Sequence, residues 1–325
     1  MTAADLVTTV RNVRAGHRTL LQILPIYVAV IILLIAGEGI RGGFVSLGNV
    51  GSLLLLATFT AVVSFGQGLV ILVGGFDLSV AWTMTMAGVF LTSQAQGLNA
   101  RGAWVVPLVL AAGAAIGLVN GLGVAIFDIA PIVMTLATNV VVQGLVMTSI
   151  SGTPSGKAPP FLVALTNRSW GWLPWLVVFL ACFTVLATLF LRATPVGRRL
   201  HVVGYNRTVA QLSGIPVRRT LILAYVLSGV CAAIAGMLAA GYTTTSALTT
   251  GDSYLLPSIA AVVIGGASIL GGRGHYPATV GGAIFLTVLS AILAAVNLSD
   301  AVRTMITGVV ILLAVLVIGQ RERSH

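Results

Sequence analysis

Residues 42–76 read GGFVSLGNVGSLLLLATFTAVVSFGQGLVILVGGF, a run of 35 residues without Asp, Glu, Lys or Arg. A helix needs about 20 mostly apolar residues to cross the hydrocarbon core of a bilayer. One such run is either a span or a buried core helix, and its surroundings decide between them. Nine more charge-free runs occupy 19–37, 78–100, 102–127, 129–156, 169–191, 220–251, 253–272, 274–299 and 304–320. Lipid offers no partner to a bare N–H or C=O, so segments like these cross as helices. Strand alternation is absent, which argues against an outer-membrane barrel. The expected fold is therefore all-α, a polytopic membrane protein of about ten transmembrane helices. Pro257, Pro277 and several glycines make broken or re-entrant helices the expectation for 253–272 and 274–299.

The composition agrees. Of 325 residues, 58% are hydrophobic and 7% are charged, 17 Lys and Arg against 7 Asp and Glu. Soluble domains carry about 25% charged residues, so this chain cannot clothe a water-soluble globule. Cys182 and Cys231 both lie in apolar runs, which excludes a disulfide scaffold and a CxxC metal site.

Basic residues mark the side facing the cytoplasm. With ten crossings, Arg11, Arg14, Arg18, Arg192, Arg198, Arg199, Arg207, Arg218, Arg219, Arg273, Arg321 and Arg323 all fall on one side, and both termini lie there. The expected layout is a cytoplasmic tail over 1–19, a transmembrane domain over 20–320 with a cytoplasmic segment at 192–219, and a tail over 321–325. The first apolar run is long and no A-x-A site follows it, so it reads as a retained helix. The net charge of +10 is then topological. Without alternating exposed aromatics it does not signal nucleic acid. The Pro-, Gly- and Ser-rich segment 151–171 reads as an external loop, followed by Trp170, Trp172 and Trp175 as a headgroup belt.

Catalytic signatures are missing. Gly152 to Lys157 superficially suggests a phosphate loop, but the spacing is one residue short and Ala158 stands where a magnesium-binding hydroxyl belongs. No HExxH or Gly-x-Ser-x-Gly occurs, and the four histidines are scattered. No catalytic residue and no metal ligand is expected. Asp77, Asp128, Asp252 and Asp300 each precede an apolar run and read as N-caps at span boundaries. That leaves few acids for span centres, and proton- or sodium-coupled carriers usually keep some. Gly113, Gly117 and Gly121 repeat every four residues, which lets helix backbones approach, within the bundle or between subunits. The glycine pairs at 74–75, 265–266, 271–272 and 281–282 permit kinks and unwound turns, and the Gly-rich turns at 74–75 and 271–274 would both face inward.

Residues 192–219 form the longest polar stretch. Asn206 is a good N-cap, and Gly214 with Pro216 a good stop. Between them lies a helix of about two turns with Val209 and Leu212 on one side. So short a helix is marginal alone and needs a partner surface.

Four blocks here resemble one family. They are Gly74-Gly75-Phe76-Asp77-Leu78-Ser79; Asn120-Gly121 followed by Ala130-Pro131 through Leu136 and Thr138; Thr194 through Gly197-Arg198, Gly204-Tyr205-Asn206 and Ala210 to Ile215; and Gly265 to Gly274. Together they resemble the permease subunits of bacterial ABC importers for monosaccharides, the ribose/xylose/arabinose/galactose type. Phe76, Tyr205 and His275-Tyr276-Pro277 depart from the usual pattern. The resemblance covers about 45–320. It implies a multi-pass protein of the bacterial inner membrane that moves a monosaccharide or similar polyol inward. It implies a second permease subunit, identical or paralogous. It also implies a cytoplasmic ATPase, typically a fused double-ATPase chain, and a periplasmic sugar-binding protein. ATP and Mg would sit on the ATPase, with no cofactor on this chain. Gly197, Arg198, Gly204, Asn206, Val209, Ala210, Leu212 and Gly214 would be the ATPase-coupling residues, and Gly74, Gly75, Asp77 and Ser79 the family motif. Asn120, Asn139 and Gln143 are the candidate substrate-pathway residues, because sugar hydroxyls suit neutral amides; interhelical hydrogen bonding is their alternative use. The competing functions are a stand-alone secondary carrier or facilitator, and a membrane-embedded enzyme or scaffold.

Overall fold

The computed structural model describes residues 23–150 and 153–323, and over these the chain is almost wholly helical. Each charge-free run holds one helix: α1 (Ile23–Ile40), α2 (Leu47–Leu72), α3 (Val80–Ala95), α4 (Asn99–Ala125), α5 (Pro131–Ser149), α7 (Trp175–Ala193), α10 (Val217–Thr243), α11 (Asp252–Ile264), α12 (Tyr276–Ala295) and α13 (Asp300–Arg323). Among the described residues α1, α2, α4, α5, α7, α10 and α12 are long and apolar enough to cross a membrane. This is a polytopic membrane protein. The 16 residues of α3 and 13 of α11 reach about 24 and 20 Å at ~1.5 Å per residue. That is less than the ~30 Å of a hydrocarbon core.

The centre is built from α2 and α10. Their most apolar windows are 78% and 67% buried, against 17–28% for α1, α4, α5 and α7, which form an outer layer with exposed apolar faces. The glycine repeat of α4 resolves into packing within the bundle. A Cβ on Gly113 would meet the Gly229 carbonyl, one on Gly117 the Tyr225 carbonyl, and one on Gly121 the Ile222 Cα. The α4 and α10 backbones touch along this seam, which only glycine permits.

The connections gather at two ends. At one, Gly97 N–H donates to the Lys157 carbonyl (2.8 Å) and Ala158 N–H to that of Thr244 (2.9 Å). The 151–171 segment, expected to be a loop, carries α6 (Pro160–Asn167) there, started by Pro160 and pinned by buried Leu162. A two-residue hairpin, β1 (Ser169–Trp170) with β2 (Leu173–Pro174), then turns through Gly171. Trp170 and Trp172 on it and Trp175 at the start of α7 are exposed, as a headgroup belt would be. The opposite end holds α8 (Pro195–Tyr205), α9 (Arg207–Leu212), the end of α2 and the glycine turn before α12.

Asp77, Asp128 and Asp252 depart from simple capping. Asp128 lies in the left-handed region (φ 54°) and α5 has no side-chain cap. Asp77 is fully buried and precedes Ser79, the N-cap of α3. Asp252 occupies the first turn of α11 without capping it.

Candidate functional site

The short helix expected between Asn206 and Gly214 is present as α9. Asn206 Oδ1 accepts from Val209 N–H (3.0 Å), and Gly214 ends the helix at φ 76°. Before it runs a helix the polar composition concealed, α8, opened by Pro195 and capped by Thr194 Oγ1 accepting from Gly197 N–H (3.1 Å). Leu200, Val203 and Ala210 are buried, so α8 and α9 rest on the bundle as one lever. Where the lever bends, a Cβ on Gly204 would fall on the Leu72 carbonyl, beside Gly272 N. Gly272 N–H itself donates to Leu72 O (2.8 Å), and the Arg207 guanidinium to Val73 O (3.2 Å). The last carbonyls of α2, left free by the helix's end, are thus taken by the lever and the glycine turn. The Tyr205 ring lies 5.9 Å from the Arg273 guanidinium. The two glycine turns expected to share one side are in direct contact. Nearby, burial, then Arg192 and His201, push the His275 imidazole below its usual range and favour its neutral form.

From that end the chain turns back into the bundle over residues 73–79. Gly66 of α2 abuts Ser228 of α10, and six residues separate Gly66 from the end of α2, about 9 Å at ~1.5 Å per residue. The Ser228 hydroxyl lies beside Asp77, so α3 begins well inside the bundle. Its entry is held by hydrogen bonds. Asp77 Oδ1 accepts from the Ser79 N–H (3.0 Å) and hydroxyl (2.6 Å), and Asn120 Nδ2 donates to Ser79 Oγ (2.8 Å). Thr135 Oγ1 accepts from Leu78 N–H (3.0 Å), and Asn139 Oδ1 from Trp82 N–H (3.2 Å).

A second break descends from the opposite end. After α10 closes on Thr244 (φ 64°), residues 244–251 run down along α3. Gly88 faces Ser246, Thr85 Oγ1 donates to Leu248 O (3.5 Å) and accepts from Gly251 N–H (3.0 Å), and a Cβ on Gly251 would fall on Ala81 O. α11 therefore starts beside the first turn of α3. Of the pair expected to be irregular, the 253–272 run is the broken one, and 274–299 holds the 20-residue α12.

The proposed pathway residues are brought together unequally. Asn139 and Gln143, one turn apart on α5, are half-buried, whereas Asn120 is fully buried. Within the lever, Val209 and Leu212 point outward (54% and 85% exposed), while Gly197 and Ala210 pack inward and help seat it. The descent at 244–251 was missed because it carries no charge. Its five threonines and one serine over 243–250 were the available signal.

Two non-helical stretches, 73–79 and 244–251, that enter the bundle from opposite ends, and a lever seated on the end of α2, describe a membrane transporter. A family model described as "Branched-chain amino acid transport system / permease component" matches residues 49–315, and the chain belongs to this permease family. It is 34% identical over 84% of its length to the probable ABC transporter permease protein y4mJ of Sinorhizobium fredii, covering 81% of that protein. It is 30% identical over 89% of its length to the ribose import permease protein RbsC of Haemophilus influenzae, covering 91% of it. It is also 32% identical, over 84% of each chain, to the autoinducer 2 import system permease protein LsrD of Photorhabdus laumondii. No solved structure matches it. The resemblance drawn from the four sequence blocks is borne out.

Proposed function

We propose that this chain is the membrane-spanning subunit of an ATP-driven importer that carries a monosaccharide or similar small polyol across a bacterial inner membrane. The observation that carries the reading is the seating of the α8–α9 lever on the end of α2, with Val209 and Leu212 presented outward. Burying a Leu side chain stabilises a contact by about 1.5–3 kcal/mol, so these two suit a protein partner. On this reading the lever end is cytoplasmic, all ten helices cross or enter the membrane, and both termini are cytoplasmic. A separate ATPase, as a fused double chain, holds ATP and Mg and pulls on the lever. The pull reaches Leu72 and Val73 directly, and through residues 73–79 the start of α3. A second permease copy completes the pathway, and a periplasmic binding protein delivers the solute. The family description names amino acids, but ribose and autoinducer 2 in the names of relatives spanning most of the chain favour a polyol. Asn139 and Gln143 are the amides best placed to meet it.

Proteoliposomes holding the chain, its ATPase and its binding protein test this. Sugar uptake should require ATP and the ATPase. Uptake down a gradient by the permease alone would support the facilitator instead.

A further inference from the structure

The segment that descends along α3 carries an acid to an unexpected depth. Ala81, against which Gly251 packs, is 14 residues from Ala95 at the end of α3, about 21 Å at ~1.5 Å per residue. The lever-side end of α2 lies farther on, beyond Asp77 and Ser228. Asp252, the next residue, thus stands near the middle of the bundle's height rather than at its edge. Its side chain is exposed, and no hydrogen bond or ion pair engages it among the described residues. A carboxylate at that depth is costly against lipid, and such residues face a water-filled cavity or the bundle interior. The neighbouring surface is polar as well. Thr249 and Ser253 are exposed beside it, and Asn139 reaches Trp82 N–H, one residue from Ala81. Val142 and Val146 of α5 share one apolar cluster with Ala81, Trp82 and Val89 of α3, and Leu248 and Leu255 pack against that same cluster, so α5 and the foot of the descent flank the same part of α3.

We propose that Asp252 lines the aqueous translocation pathway and accepts hydroxyl hydrogen bonds from the passing polyol, opposite the amide donors of Asn139 and Gln143. This rests on the importer reading for the identity of the solute, but not for the exposure of Asp252 to water. Carboxylate oxygens accept two vicinal hydroxyls at once, whereas the amide NH2 groups donate to ring and hydroxyl oxygens. The combination discriminates between sugars that differ in the placement of one hydroxyl.

The test uses the full complex in proteoliposomes, with Asp252→Asn, Asp252→Ala and Asp252→Cys. A water-borne cationic thiosulfonate should modify Asp252→Cys well above the native background and far faster than Ile35→Cys on the exposed apolar face of α1. Labelling no faster than Ile35→Cys overturns the proposal. With D-ribose, D-xylose, L-arabinose and D-galactose as probes, Asp252→Ala should raise the uptake KM for the preferred sugar by ~10-fold or more, the loss of a charge-assisted hydrogen bond. It should also narrow the preference among sugars, while binding-protein-stimulated ATPase activity persists. Asp252→Asn should fall between. Unchanged KM and preference in Asp252→Ala overturns the proposal. If no probe sugar enters with ATP even in the native complex, the importer reading fails, and the labelling result still judges the exposure of Asp252.

Discussion

Gly117 sits where its α-hydrogens face the Tyr225 carbonyl across the α4–α10 seam. Even one methyl group would push α4 away from the central α10, since packed interiors resist added volume at about 1–3 kcal/mol per insertion. Gly117→Leu should lower the thermal unfolding temperature of the detergent-purified protein by several degrees. Gly144→Leu should not, because nothing stands within 4 Å of a Cβ there. Asn206 acts by a different route. Its Oδ1 satisfies Val209 N–H at the start of a six-residue helix, and losing an N-cap costs about 1 kcal/mol. Asn206→Ala should therefore loosen α9 and lower ATP-coupled uptake, and Asn206→Ser should restore most of it. Both effects are read from initial uptake rates at equal protein in the membrane.

The lever joins two surfaces of opposite character. Leu200, Val203 and Ala210 are buried, and Leu212, two residues on and so on the other side of α9, is 85% exposed. Leu212→Asp should leave the permease's own stability unchanged and weaken ATPase association by ~10-fold or more, as truncation of an interface anchor does. Titration of the purified subunits measures it. α9 was legible in the sequence because its signals are local: an Asn cap, two apolar residues three apart and a Gly stop. α8 was not, because His201, Arg198 and Arg199 merged it into one long polar stretch, and its buried residues Leu200 and Val203 acquire meaning only against α2 and α10. α6 hid in the same way behind flanking prolines.

Across the bundle, charge gaps located ten helices but could not give their depth. The run 220–251 is free of charge yet contains both the end of α10 and a non-helical descent, since an uncharged threonine of α3, Thr85, satisfies backbone groups of that descent at Leu248 and Gly251. For the same reason Asp77 and Asp252, both read as boundary residues, lie deep. The glycine turns at 74–75 and 271–272 were legible as a pair on one side, and their contact gives that placement its purpose: the lever, the end of α2 and the turn before α12 meet at Gly204. If force enters there, Gly204→Val should separate the lever from Leu72 and Gly272 and uncouple ATP hydrolysis from transport.

The most direct measurement is sugar uptake in proteoliposomes containing the permease, its ATPase and its binding protein, comparing the native chain with the Asn206→Ala/Leu212→Ala pair. Uptake should depend on ATP in the native complex and vanish in the double variant, with the binding protein's affinity for sugar unaltered. Uptake that proceeds undiminished in the double variant, or without ATP in the native complex, contradicts a permease driven through the α8–α9 lever.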